Sequence, residues 1–363
     1  MISDAFLRKD KPNVDAASSI LNSMSFFSSQ SGPRRQTLRR SSLLQRLSRS
    51  LAPALPALLL LAASASTLRA TAASSDAASS DATSLAEWRV QRAKTLSAPD
   101  GWLTLVGLDW LQSGKNAVGL AADNQIQLHG RAPAHLGVIE VDGAGLRLLA
   151  PEGGFPPHLL IDGQPAREGA IQSDDTRATV LSDENLTMVV LHRGDRFALR
   201  IKDSESATRT SFKGLHWYPP SAKYRITAKW IPFVPQHTEK IPTIIGTTLD
   251  MPAPGLAEFT LDGKTIQIEP VLEGPDAKEL FFILRDATSH TTTYQAARFL
   301  YAEMPSNGLD KPGTIVLDFN RLQNPPCAYT PYATCPLPPF QNRLAIAIPA
   351  GEERFTHEEP AAR

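Results

Sequence analysis

From Trp102 onward, apolar and polar residues alternate with a period of two over one short segment after another. That spacing turns one face of a β-strand into a core and the other toward water. WLTLVGL (Trp102–Leu108), NQIQL (Asn124–Leu128), GVIEV (Gly137–Val141), LTMVVLHRGDRFALRIKD (Leu186–Asp203) and KYRITAKWIPF (Lys223–Phe233) read as strands. In the last of these Tyr224, Ile226, Ala228 and Trp230 share one face, and Lys223, Arg225, Thr227 and Lys229 share the other. ELFFILRD, ARFLYAE, GTIVLDF and RLAIAIP continue the pattern toward the C-terminus. Asp-Gly pairs at Asp142-Gly143, Asp162-Gly163 and Asp262-Gly263 supply the positive-φ turns that suit tight hairpins. In LAEFTLDGKTIQIE (Leu256–Glu269) such a turn lets Phe259, Leu261, Ile266 and Ile268 point to one side.

A helical period occurs in SLAEWRVQRAKTL, where Ser84 and Glu87 form a capping box and Leu85 and Trp88 share a face. This helix is expected to end before Ala98–Gly101. Many short strands with one N-terminal helix predict an all-β fold of two β-sandwich or barrel-like modules. Pro219 and Pro220 mark the break, with one continuous sandwich as the alternative. The helix and first β module then occupy residues 84–212, the second module 213–357 and a tail 358–363.

The first 65 residues have a different character. Six arginines and no acid lie between Arg34 and Arg49, the apolar run Leu51–Ala63 follows, and Ala63–Ala65 gives small residues at a cleavage position. These are the three parts of a secretory signal peptide, with the residues before Met24 read as an overlong start. The apolar run is shorter than the roughly 20 residues that span a bilayer. Export to a periplasmic or extracellular location is therefore expected, with no stable membrane anchor after cleavage. Residues 66–83, rich in Ala and Ser, form a tether too polar to bury a core. Removing residues 1–65 takes nine basic and three acidic side chains from 37 of each, leaving 28 against 34, a formal charge of −6. Such a balance gives no counterion-release drive toward nucleic acid, which is excluded as a partner.

Familiar chemical motifs are absent. There is no G-x-S-x-G elbow, and the Gly-Lys pair in SGKNAVG lacks P-loop spacing. The eight histidines are scattered singly, and none forms an i, i+4 pair. No metal site and no cofactor are expected. The Arg193-Gly194-Asp195 triplet reads as a tight charged turn between two strands. Val118–Ala166 resembles a forkhead-associated domain, a β-sandwich that reads phosphothreonine. Only His135 keeps the family pattern: Leu120, Ala132 and Asp162 stand where that family has its arginine, serine and asparagine. The resemblance therefore implies the scaffold without phosphopeptide binding.

DGWLTLVGLDWLQSGKN, TSFKGLHWYP, RDATSHTTTYQAARFLYAE and IVLDFNRLQNPPCAYTPYATCPLPPFQNRLAIAIPAGE appear together. They resemble the bacterial and archaeal family known as domain of unknown function 1684, over most of Trp88–Arg354. The resemblance implies membership and assigns no reaction.

Asn324–Arg343 holds both cysteines and six of the 29 prolines. Two readings compete for the polar residues around it. Asp318, Arg298 and Arg321 form an acid–base and anion-gripping set, with Asn320, Asn324, Tyr294, Asp286 and Arg343 as ligand contacts. Alternatively, the same groups satisfy the backbone of a loop whose prolines lack donors. In an oxidising compartment Cys327 and Cys335 are expected to form a disulfide that stabilises the loop by about 2.5 kcal/mol. Free buried thiols and a reactive thiol are the alternatives. Binding of an unknown small molecule, or a structural role, is the leading expectation. A cofactor-independent hydrolase or lyase is the alternative.

Overall fold

The alternating segments become seventeen strands in the computed structural model, which describes residues 83–143 and 145–356. The signal peptide, nearly all of the tether and the tail expected from the sequence lie outside those residues. Among the described residues the helical run α1 covers 83–96 and is followed by turns at 97–100. Its end falls where the sequence places it, but Ser84 lies inside the helix, not at a cap before it. Leu85 is buried and Trp88 half-buried on one face, as the spacing predicts.

The first β region contains β1 (Leu105–Trp110), β2 (Gly114–Gly119), β3 (Ile126–Gln127), β4 (Gly137–Asp142), β5 (Gly145–Leu149) and β6 (Leu160–Ile161). It continues with β7 (Gln164–Pro165), β8 (Gly169–Ala170), β9 (Leu181–Asp183), β10 (Leu186–Arg193) and β11 (Arg196–Asp203). These make a six-stranded sheet, β1-β11-β10-β9-β6-β7, and a five-stranded sheet, β3-β2-β4-β5-β8. Ile126, Ile139, Leu148, Met188, Val190 and Leu199 from the two sheets bury one another. The short helix α2 (Ala207–Thr210), capped by Ser206, follows; its four residues are too few for a legible period.

The second region contains β12 (Arg225–Pro242), β13 (Thr248–Leu261), β14 (Lys264–Ile268), β15 (Glu279–Leu284), β16 (Arg298–Glu303) and β17 (Gly313–Asp318). A four-stranded antiparallel sheet, β14-β13-β12-β17, shares a core with the β15-β16 pair. Phe259, Leu261, Ile266 and Ile268 are all buried there, and Asp262 and Gly263 adopt φ of 51° and 75° in the hairpin turn. Further clusters join the regions: Leu105 packs with Phe281, Phe299 and Cys335, and Leu96 and Leu103 pack with Tyr329.

The architecture is all-β, as the patterning predicts, and three local expectations change. Trp102–Thr104 is a 3-10 turn that precedes β1. Asn124–Leu128 contributes only the two residues of β3. RLAIAIP forms no strand: the Leu344 and Ile348 amides donate to Arg285 O and the Asp286 carboxylate, so no partner strand forms a ladder with it. The Arg193-Gly194-Asp195 triplet is the β10–β11 turn, with Gly194 at φ 65°. Arg193 is buried in a two-pronged pair with Asp174 at 2.7 and 3.0 Å.

Candidate functional site

The proline loop leaves β17 through Asp318, whose carboxylate caps the 3-10 turn Phe319–Arg321. Its Oδ1 accepts from the Asn320 amide (3.1 Å) and side chain (2.9 Å), while Oδ2 pairs with Arg321 at 3.3 Å. Asn320 also exchanges hydrogen bonds with both backbone groups of Ser221. The Arg321 guanidinium lies over the Trp88 ring, 5.4 Å from its centroid, and thereby meets α1. These groups tie loop, helix and β12 entry together.

Arg298 belongs to a different network. It pairs with Asp286 and donates to the carbonyls of Ile348 and Ala350. Asp286 accepts from the Thr288 amide and hydroxyl and from the Ile348 amide. Both side chains are sealed in the interior, so neither faces a ligand. Arg298 and Asp318 share no hydrogen bond or ion pair among the described residues. Arg343 is exposed and holds Pro338 O at 3.2 Å. The geometry thus commits most of the expected acid–base set to backbone and to one another, as a loop short of donors requires.

Asn324 leads to a network the sequence does not reveal. Fully buried Glu352 accepts from the Asn324 amide (2.7 Å), the Tyr329 hydroxyl (2.7 Å) and Arg92 of α1 (2.9 Å). Arg92 also reaches Asn324 O, and Asn324 Nδ2 donates to Glu353 O. Burial acts to lower the Arg92 pKa, but Glu352 and Tyr329 outweigh it and raise it. Burial, then Glu352, push the Tyr329 phenol well up. Gly351 sets the approach: at φ 80°, an added Cβ would lie 2.4 Å from Leu322 O. Arg92 and Glu352 are 260 residues apart, and no local pattern joins them.

The two cysteines correct the expected disulfide, because both are free thiols. Cys327 lies in the 3-10 turn Pro326–Ala328 and is half-buried against the cluster that holds Cys335 in the core. Cys335 Sγ accepts the Cys327 amide at 3.1 Å, satisfying a backbone donor without an S–S bond. The Tyr294 hydroxyl donates to Cys327 O at 2.9 Å. A hydrogen bond from Cys335 holds the Cys327 thiol below the ordinary cysteine value despite opposing burial, and Tyr294 adds to that effect. Burial, then Cys327, push Cys335 well up. The two thiols therefore differ: the half-buried one has its pKa lowered by its neighbours, and the buried one has its pKa raised.

Residues of the first region complete the surroundings. Buried Arg200 of β11 acts on Cys335 through its charge and lies over the Trp102 ring at 5.4 Å. Lys202 lies 5.6 Å from the same ring, and Trp102 packs on both clusters that Cys327 and Tyr294 border. Thr330 Oγ1 donates to Leu105 O at 2.9 Å, fixing the loop to β1. Trp102, Arg200 and Lys202 lie in a turn and a strand whose alternation accounts for them as scaffold, so no sequence signal sets them apart. One further group, His237 with Glu239 and Glu269, has metal-ligand chemistry; two of these lie within β12 and the third just after β14, not in one motif.

Residues 210–353 match the model of a family described as protein of unknown function, DUF1684. The match includes Tyr294, both cysteines and Glu352, and begins later than the Trp88 start expected from the motifs. An uncharacterised protein of Haloarcula marismortui is 29% identical, with 40% of this chain and 79% of that chain covered and a TM-score of 0.35. The FHA domain of FhaA, solved with the intracellular domain of Rv3910, is 15% identical over 26% of this chain and 97% of its own, at a TM-score of 0.18. A second FHA domain, from a study of phosphothreonine-dependent interactions, is 16% identical over 27% and 96%, also at 0.18. No curated protein matches the chain.

Proposed function

We propose that this chain, whose residues 210–353 carry a DUF1684 domain, is an exported β protein that binds a small ligand beside Cys327. The observation that carries the reading is the half-buried Cys327 thiol, set against a buried thiol partner and the Tyr294 hydroxyl. A polarisable sulfur, a phenol and the Trp102 indole provide soft and aromatic contacts, with Lys202 adding positive charge at the rim. Binding is the reading taken because no imidazole stands as a general base beside Cys327 among the described residues, and such a base is one of the means by which a thiol nucleophile is activated. Asp318, the other acid–base candidate, is engaged in capping its own turn. The basic, apolar and small-residue run before Ala65 supports the export part.

A thermal-shift screen of small acids and aromatic compounds, run on wild type and Cys327→Ser, tests the binding. The expected hit stabilises wild type, slows alkylation of Cys327 and loses its effect in the variant. Hits that act equally on both proteins refute the site. N-terminal sequencing of exported protein tests the leader: a mature start near Ala65 supports export, and a start upstream of Leu51 refutes it.

A further inference from the structure

We propose that His237, Glu239 and Glu269 form a binding site for a zinc-type divalent cation, separate from the thiol site and independent of it. The strand geometry builds the group. Between Pro232↔Gly255 and His237↔Ala253 the β12–β13 ladder loses register, with residues 233–236 of β12 facing only Pro254 of β13. Such a bulge re-aims the side chains that follow it. His237 and Glu239, two apart on β12, then share a face. Glu269 arrives from the other edge, as the first residue after β14.

The donor atoms converge. His237 Nε2 lies 2.8 Å from Glu269 Oε1 and 3.6 Å from Glu239 Oε2, and all three donor atoms lie within 4.8 Å of one another. A metal with bonds of about 2.1 Å separates neighbouring ligand atoms by roughly 3.0–3.4 Å, so small adjustments suffice. One imidazole and two carboxylates suit zinc and its first-row neighbours better than calcium or magnesium, which favour all-oxygen sites.

Outer contacts hold the ligands in place. Gln341 donates to Glu269 Oε2 at 3.0 Å, leaving Oε1 toward the histidine. Fully buried Asn342 clamps both backbone groups of Glu269 at 2.8 Å. Phe233 packs against the His237 ring with centroids 4.7 Å apart. Such partners orient the ligands of a metal site. Glu269 is nearly buried beside a second carboxylate, and a dication would neutralise this excess of negative charge. His237 is 45% exposed, which leaves one side of the ion open to water or a small anion.

The test uses the full chain without a polyhistidine tag, stripped with chelator and dialysed against limiting Zn²⁺, with bound metal counted by elemental analysis. One zinc per chain is expected. Glu269→Gln and His237→Ala should each weaken binding by at least tenfold, and Glu239→Gln, at the longer 3.6 Å contact, should weaken it less. Cobalt then separates the two sites. Nitrogen and oxygen ligation gives weak visible bands alone, whereas thiolate ligation adds a strong near-ultraviolet charge-transfer band. Failure to retain zinc, retention unchanged in Glu269→Gln, His237→Ala and Glu239→Gln, or a thiolate band would overturn the proposal.

Discussion

Replacing Arg298 with methionine tests the claim that the charged residues beneath the proline loop are scaffold. The substitution keeps the apolar stem but removes the cation, leaving Asp286 with only Thr288 and Ile348 as donors. Neither member of the pair is exposed beyond 1%, so water cannot replace the lost partner. Breaking one side of a buried pair costs about 3–5 kcal/mol. The Ile348 and Ala350 carbonyls also lose their donor, which places the effect toward the upper end. For a folded unit of this size, that corresponds to a drop of about 6–20 °C in thermal midpoint. Differential scanning calorimetry and urea titration measure it. Asp286→Leu combined with Arg298→Met should recover part of the loss, because no isolated charge then remains buried. A single variant that melts within about 2 °C of wild type would refute the scaffold assignment.

Other predictions address neighbouring groups. Asp318→Asn should change stability by less than about 1 kcal/mol, since its pair with Arg321 is partly solvated and asparagine can still cap the turn; denaturant midpoints check this. The alkylation rate of Cys327 should rise with pH through an inflection below the ordinary cysteine value, because its thiol pKa is lowered. Cys335→Ala removes the largest cause of that lowering, and Tyr294→Phe a smaller one, so both should move the inflection to higher pH. Asp195→Ala should alter stability by less than about 0.5 kcal/mol, whereas Arg193→Ala should cost about 3–5 kcal/mol by orphaning Asp174; paired melting curves distinguish a structural turn from an adhesive motif.

The β13–β14 hairpin was legible because its information is local: an Asp-Gly turn and two alternating runs fix register and buried face together. RLAIAIP has equally good alternation but no ladder, because Asp286 and Arg285 take its amides. Alternation specifies which side is buried, not what accepts the backbone hydrogen bonds. The site shows the same divide. Spacing and the oxidising compartment argued for a disulfide, whereas the fold gives Cys335 a different task, accepting the Cys327 amide. Glu352 with Arg92 and His237 with Glu269 meet only through tertiary packing, so no window of sequence shows them. Asp318, Asn320 and Arg321 stood out as polar in a proline-rich region, and that polarity is largely the loop's own hydrogen-bonding requirement.

Counting and timing the two thiols in the native protein tests the central claim most directly. Brief treatment of the native chain with excess iodoacetamide, followed by intact-mass and peptide analysis, should give one adduct, on Cys327. Cys335 should react only after denaturant is added, because it is buried and its thiol pKa is raised. A native chain whose Cys327 stays unmodified, or one lighter by two hydrogens through a Cys327–Cys335 bond, would contradict the account.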